Sequence, residues 1–361
     1  MIFSDDIRKK MRIAYGLRRV PESKFVQLLP PPTAPSAGDL VLVRIEKIGK
    51  NARLELGSGR PCALHKGDLM ALVFGNRYAT NQFEGYARVN GDCCDMLSMG
   101  GLCGIVESRH VDISAPTKLK ILGSLADKNG RQLNLRDFAL PRIPAPKKLP
   151  CIIVVVGTSM DSGKTYTAMS LIVGLRHQGV RVGGIKVTGT ATGRDTWSMR
   201  DAGAVPALDF IDGGFGATYM CSLDELKDLY MRLVAHASWQ GADWVVVEVA
   251  DGLLQRETSA MLQDADIRKS VHSWGFAASD AMAAESGVRL LRKWGIEPKA
   301  VSGVLSMSPL GRREAMEATS VPCLTAEELQ QGALTSALVK SRLSSHAPIV
   351  IDELENARVT A

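Results

Sequence analysis

The chain has 361 residues, 45% of them hydrophobic and 23% charged, with a formal net charge of +6. These proportions are ordinary for a folded globular protein and exclude a mainly disordered, collagen-like or coiled-coil chain. At roughly 100–200 residues per domain, the length predicts two domains, each able to bury a core.

The charge is unevenly spread. Residues 1–150 hold 24 Lys+Arg and 14 Asp+Glu, a net of +10, and the remainder nets −4. A solvated basic surface accounts for this; attraction to a polyanion or an acidic partner is the sharper reading. The seven Cys are odd in number and show no Cys-x-x-Cys spacing, which argues against a disulfide framework and a zinc ribbon. The opening MIFSDDIRKKMRIAYGLRR has early acids and lacks the apolar stretch of a secretory signal. No apolar run reaches the roughly 18–20 residues of a membrane helix. The expectation is a cytoplasmic protein with no membrane contact.

Two proline clusters divide the chain, Pro30, Pro31, Pro32 and Pro35, then Pro141, Pro144, Pro146 and Pro150. Proline fixes φ and removes a donor, so these are extended connectors. The predicted organisation is a basic arm with a Pro-rich linker (1–37), a small β-barrel or sandwich (38–140), a Pro-rich linker (141–150) and a C-terminal domain (151–361). In the middle domain the runs 39–49, 51–56, 68–75, 84–90 and 102–111 read as short strands separated by Gly, Asn and Asp. His65 and His110 are isolated there and read as structural or surface residues.

The C-terminal domain alternates strands and helices. CIIVVVG (151–157) is a strand, and a helical pattern follows from Gly163. VRVGGIKV (180–187), DWVVVEVA (243–250), GFAAS (275–279), KAVSGVLSM (299–307) and VPCL (321–324) read as further strands. Residues 222–241 and 280–295 read as helices, with Asp280 as an N-cap. Strands that are apolar throughout are buried on both faces. The fold class is therefore α/β, a mainly parallel sheet covered by helices, preceded by a small antiparallel β-barrel-like domain.

The segment GTSMDSGKT, 157–165, follows a strand directly and opens a helix, the setting of a P-loop. Backbone N–H groups of Gly157, Thr158, Ser159, Met160, Asp161, Ser162, Gly163, Lys164, Thr165 and Tyr166 are placed to face phosphate oxygens. Lys164 brings a positive charge to the β- and γ-phosphates, and the Thr165 hydroxyl is placed to ligate Mg²⁺. Five residues separate Gly157 from Gly163, one more than in the common G-x-x-x-x-G-K-[ST] pattern.

That longer spacing resembles the GTDTGVGKT loop of the dethiobiotin synthetase family. Ile185, Lys186 and Val187 are similar to the family's Lys-Pro-Val segment, and VEVADGLL (247–254) is similar to its V-E-G-A-G-G-L-L. The resemblance covers the C-terminal 200 or so residues. It implies a P-loop NTPase that uses ATP and Mg²⁺, with Lys186 stabilising charge on the transferred group or acceptor. It implies Glu248 as a Mg²⁺ ligand. The family's loop Asp is Ser159 here, and Asp161, two positions later, is the candidate base or metal ligand in its place. Val249 and Asp251 replace two of the family's glycines.

Between the second and third major strands lies a polar stretch, 186–219. Thr188, Thr190, Arg194 and Asp195 are candidates for an acceptor pocket, since ligands bind near the carboxyl ends of strands in open α/β sheets. A plain helix capped near Asp195 is the alternative. Ser306 and Ser308 end the strand 299–307, a region that often contacts the base in this type of fold. No Asn/Thr-Lys-x-Asp guanine motif occurs, which favours ATP over GTP.

The expected function is ATP- and Mg²⁺-dependent phosphorylation or activation of a small carboxylate- or amine-bearing acceptor, by a kinase or ligase. Lys164, Lys186, Asp161 and Glu248 are the catalytic candidates. A nucleotide-driven switch or partner-loading ATPase is an alternative, though Gly157, Thr158 and Ser159 include no early loop Lys. Nucleic-acid or anionic-carrier binding by the basic N-terminal part is another, with Phe74, Tyr78, Phe83 and Tyr86 near Arg77 and Arg88. The expected partners are a small-molecule acceptor and further copies of the chain.

Overall fold

The computed structural model describes residues 5–144, 146 and 149–344. The chain forms two compact units. Among the described residues, one holds 5–141 together with Thr188–Trp197 and Asp209–Leu226; the other holds those of 142–187, Ser198–Leu208 and 227–344.

The first unit is a mainly antiparallel sheet. Its strands are β1 (Met11–Ile13), β2 (Gln27–Leu29), β3 (Leu40–Lys47), β4 (Arg53–Glu55), β5 (Pro61–Ala63), β6 (Leu69–Phe74), β7 (Phe83–Tyr86), β8 (Cys93–Met96), β9 (Leu102–Arg109) and β10 (Thr117–Ala126). β6, β3, β10, β8 and β9 pair in that order, and β9 returns to β6, so five strands close on themselves. Two pairings are parallel, β6 with β9 and β6 with β1, which differs from a purely antiparallel expectation. β1 and β9 share one edge of β6, β1 against residues 69–71 and β9 against 73–74. The segment read as an arm is thus partly sheet, because β2 also pairs with β10. The run 51–56 contributes β4, which forms a separate ribbon with β5. The core includes Phe25, Leu42, Met70, Leu72, Phe74, Phe83, Leu119 and Ile121, all buried.

The two later segments of this unit are held by a buried ionic network. The Arg18 guanidinium donates to Asp209 Oδ1 (2.8 Å) and Asp212 Oδ2 (2.7 Å), and Thr196 Oγ1 donates to Asp209 Oδ2 (2.8 Å). The Glu55 carboxylate accepts from Gly193 N (3.0 Å) and Thr192 Oγ1 (3.1 Å). Burial pushes the Asp212 carboxyl up, with the Asp209 charge acting the same way; Arg18 opposes both.

The second unit contains a six-stranded sheet. Its strands are β11 (Cys151–Gly157), β12 (Val182–Lys186), β13 (Ala207–Asp209), β14 (Trp244–Glu248), β15 (Ser273–Ala277) and β16 (Ala300–Ser302), in the order β13-β12-β14-β11-β15-β16. The pairs β11–β14, β11–β15, β12–β14 and β15–β16 are parallel. Every residue of β11, β12, β14 and β15 is buried, as apolar strands covered on both faces require. Helices Lys164–His177, Leu223–Trp239 and Ala281–Lys293 fall where the sequence pattern puts helices. Asp280 caps the last, its Oδ1 accepting from Ala283 N at 2.8 Å. The run 299–307 is a strand only to Ser302; residues 304–307 form a 3-10 turn and Ser308 caps the next helix. VPCL contributes a single bridge, Cys323 with Val301. Among the described residues no helix is long and apolar enough to cross a membrane.

Candidate nucleotide site

β11 ends at Gly157, and the chain turns through Thr158–Gly163 into the helix Lys164–His177. The N-cap is Gly163, with φ +94° and no capping side chain. The first-turn N–H groups therefore keep their donors for an outside acceptor, and the helix dipole favours an anion there. A Cβ at Gly163 would sit 2.8 Å from Gly303 Cα, so the turn is closed against the segment after β16. Val304 N donates to Ser162 O (3.1 Å) and Thr158 N to Ala277 O (3.0 Å), fixing the loop on both sides.

Lys164 is 6% exposed, and its ammonium donates to Ser159 O at 2.7 Å, folded back on the loop. Burial holds its pKa below the usual 10.5, with Glu248 pulling the other way and Lys186 adding to the depression.

Lys186 and Glu248 are the last residues of β12 and β14, and the parallel register makes them Cα partners. Their side chains meet at 3.1 Å, Lys186 Nζ to Glu248 Oε1, both buried. The same oxygen accepts from Thr165 Oγ1 at 3.1 Å. Glu248 Oε2 is buried and without a hydrogen-bond partner, as are Thr158 Oγ1 and Ser162 Oγ. Buried polar groups in native folds are nearly always satisfied. Three orphans on one loop and the strand end beside it mark a place built for a ligand.

The predicted residues thus divide. Lys164, Thr165, Lys186 and Glu248 come together. Asp161 is exposed, in a left-handed conformation (φ +63°), and its charge acts on Lys164. Ser159 and Tyr166 are exposed and Met160 is half-buried. Thr188, Thr190, Arg194 and Asp195 belong to the first unit: Thr188 is buried, Thr190 bridges to Ala217, and Arg194 and Asp195 open the helix Arg194–Asp201. Among the described residues no three His, Cys, Asp or Glu side chains converge on a metal position. Mg²⁺ does not need such a set, since it keeps water and phosphate ligands beside one or two protein oxygens.

Two features of the loop's surroundings were not legible as site features. Asp251, left-handed at φ +64°, places a charge that acts on Lys164. At Gly252, a Cβ would lie 2.3 Å from Thr158 O, a backbone atom. Its sequence signal is that it keeps a glycine of the VEVADGLL segment, four positions after the strand-end Glu248. Gly252→Ala is therefore expected to displace the loop and weaken nucleotide affinity about tenfold, at an overpacking cost of about 1–3 kcal/mol. Gly275→Ala, where a Cβ meets nothing nearer than 3.8 Å, leaves affinity unchanged. Nucleotide titration of both variants checks this.

The depressed Lys164 pKa sets a pH dependence. Below it the ammonium is charged before and after a phosphate arrives. As pH rises through it, the free protein loses that charge, and binding then requires proton uptake. Affinity for nucleotide is expected to be flat near neutrality and to fall as pH climbs toward 10.5. The residual affinity of Lys164→Arg, whose guanidinium stays charged, should show no such fall.

The family described as "MobB: Molybdopterin guanine dinucleotide synthesis protein B" matches residues 152–251. No curated protein matches the chain. Solved structures that are similar include the signal recognition particle receptor FtsY from Elizabethkingia anophelis, at 18% identity and a TM-score of 0.32, covering 50% of this chain and 59% of that one. Another is the signal recognition particle 54 kDa protein from Aeropyrum pernix K1 in complex with GDP, at 21% identity and a TM-score of 0.36, covering 55% and 49%. This chain spans less than two thirds of either. The loop geometry, the parallel sheet and the match over 152–251 together make the second unit a P-loop nucleotide-binding domain.

Proposed function

We propose that this domain binds ATP with Mg²⁺ and transfers the γ-phosphoryl group to, or activates, a small carboxylate- or amine-bearing acceptor. The observation that carries this is Glu248, whose Oε1 joins Thr165 and Lys186 while its buried Oε2 has no partner. That donor set fits Mg²⁺, with Thr165 Oγ1 and Glu248 as the protein ligands. Bound there, Mg²⁺ would supply neutralisation of charge on the phosphate oxygens.

The chain's own residues do the rest. The uncapped N–H groups of the helix Lys164–His177 bind phosphate oxygens. Lys164 exchanges Ser159 O for a phosphate oxygen. Lys186, oriented by Glu248, holds charge that develops on the transferred group or the acceptor. The dethiobiotin-synthetase-like loop spacing supports this class of reaction.

The absence of an Asn/Thr-Lys-x-Asp segment supports ATP. The matched family's name refers to a guanine dinucleotide, so GTP belongs beside ATP in the test. Small acids and amines are screened for stimulated release of ADP or GDP. The expected result is a small acceptor that stimulates ADP release. Hydrolysis that answers to a partner protein and to no small molecule would overturn the proposal in favour of a switch ATPase.

A further inference from the structure

The first unit carries a cleft of 320 Å³ that no P-loop mechanism uses, with Tyr78, Gln82, Glu84, Arg109, His110 and Tyr219 in its wall. The Tyr78 and Tyr219 rings lie 5.6 Å apart at 49°, and Tyr219 lies 6.2 Å from Tyr86. All three are half-buried, so their faces are partly open. The neighbouring aromatics differ: Phe74 and Phe83 are buried in the core, and Arg77 is 7% exposed with its guanidinium over the Phe83 ring.

The polar groups of the cleft are ordered. Glu84 accepts from Tyr86 Oη (2.6 Å) and Ser108 Oγ (2.7 Å). These bonds hold its carboxyl below the usual range, so it stays an ionised acceptor with lone pairs to spare. Gln82 Oε1 accepts from Arg77 at 2.8 Å, which fixes the amide so that its NH₂ end is the one left to donate. The wall therefore offers an aromatic face, a fixed acceptor and a fixed donor.

We propose that this cleft binds a nucleobase, stacked on Tyr78 and Tyr219, with Glu84 accepting from its amino edge and Gln82 donating to a ring acceptor. A tyrosine cage with a carboxylate also suits an ammonium ion. Here the charges decide against one. Arg88 already lies over the Tyr86 ring at 4.9 Å, and Arg109 lines the wall. Those same cations suit the phosphate attached to a base. The base belongs either to a free nucleotide or to a single strand, and the +10 charge of residues 1–150 attracts both.

The test uses the full chain, as wild type and as Lys164→Ala, which silences the P-loop. The probes are AMP, single-stranded oligo(dA) and tetramethylammonium, followed by titration calorimetry. AMP or oligo(dA) is expected to bind equally to wild type and Lys164→Ala. Tyr219→Ala and Glu84→Gln should each weaken that binding by about tenfold. Glu84→Gln keeps the side chain's size and carries the test if Tyr219→Ala does not fold. Binding of AMP identifies a free nucleotide, and binding of oligo(dA) alone identifies a single strand. The proposal is overturned if neither nucleotide binds, if Lys164→Ala removes the binding, if both cleft variants bind like wild type, or if tetramethylammonium binds in place of AMP.

Discussion

Lys164→Ala is expected to cut nucleotide turnover by about 10²–10³-fold or more, the usual cost of losing one preorganised charge donor at a transition state. The variant should not unfold. Lys164 is buried and its charge is disfavoured by that burial, so the folded protein gains little from it until a phosphate arrives. The expected pair of results is loss of nucleoside-diphosphate release with an unchanged or raised thermal midpoint. Near-normal turnover would remove Lys164 from the site. A large fall in the midpoint would show that it serves the fold instead.

The second large effect concerns Lys186 and Glu248. Their ion pair is 9% and 1% exposed on the two side chains. Lys186→Met removes the Glu248 carboxylate's ion-pair partner and leaves it the Thr165 hydroxyl as hydrogen-bond donor and the Lys164 charge nearby, with Oε2 already unpartnered. A buried charge left this way costs about 3–5 kcal/mol. The double variant Lys186→Met with Glu248→Leu removes both charges and should regain most of that stability, while activity stays lost. Urea midpoints of the single and double variants decide it. If the double variant is no more stable than Lys186→Met, the pair is not coupled as the geometry indicates.

Much of the second unit was readable because its signals are local. A strand, a Gly-rich loop and a helix in sequence need only about 25 neighbouring residues to declare a phosphate site. Lys186 and Glu248 were readable as residues that end apolar strands. That they touch depends on the β12–β14 register, which places them side by side. In the first unit the runs 39–49, 51–56, 68–75, 84–90 and 102–111 mark β3, β4, β6, most of β7 and all of β9. The ten-residue β10 was missed, because Gly123 and a register shift between Ile121 and Gly123 interrupt its pattern. β1 and β2 have three residues each, too few for any period to show.

The polar stretch 186–219 separates the two kinds of information most sharply. Its composition suggests ligand binding, since Thr, Asp and Arg in a loop beside strand ends are the residues a pocket uses. In the fold, Thr192, Gly193, Thr196, Asp209 and Asp212 satisfy Tyr15, Arg18 and Glu55, up to 194 positions away in the chain. A buried carboxylate must find its partner somewhere, and nothing local says where. The sequence by itself determined the class of each unit, the phosphate loop and the basic first half, because periodicity and turn chemistry act over a few residues. The tertiary structure alone decided the closure of β6 onto β9, the Glu248 bridge between Thr165 and Lys186, and the tyrosine cleft. Each of those rests on strand register or on the burial of groups far apart in the chain.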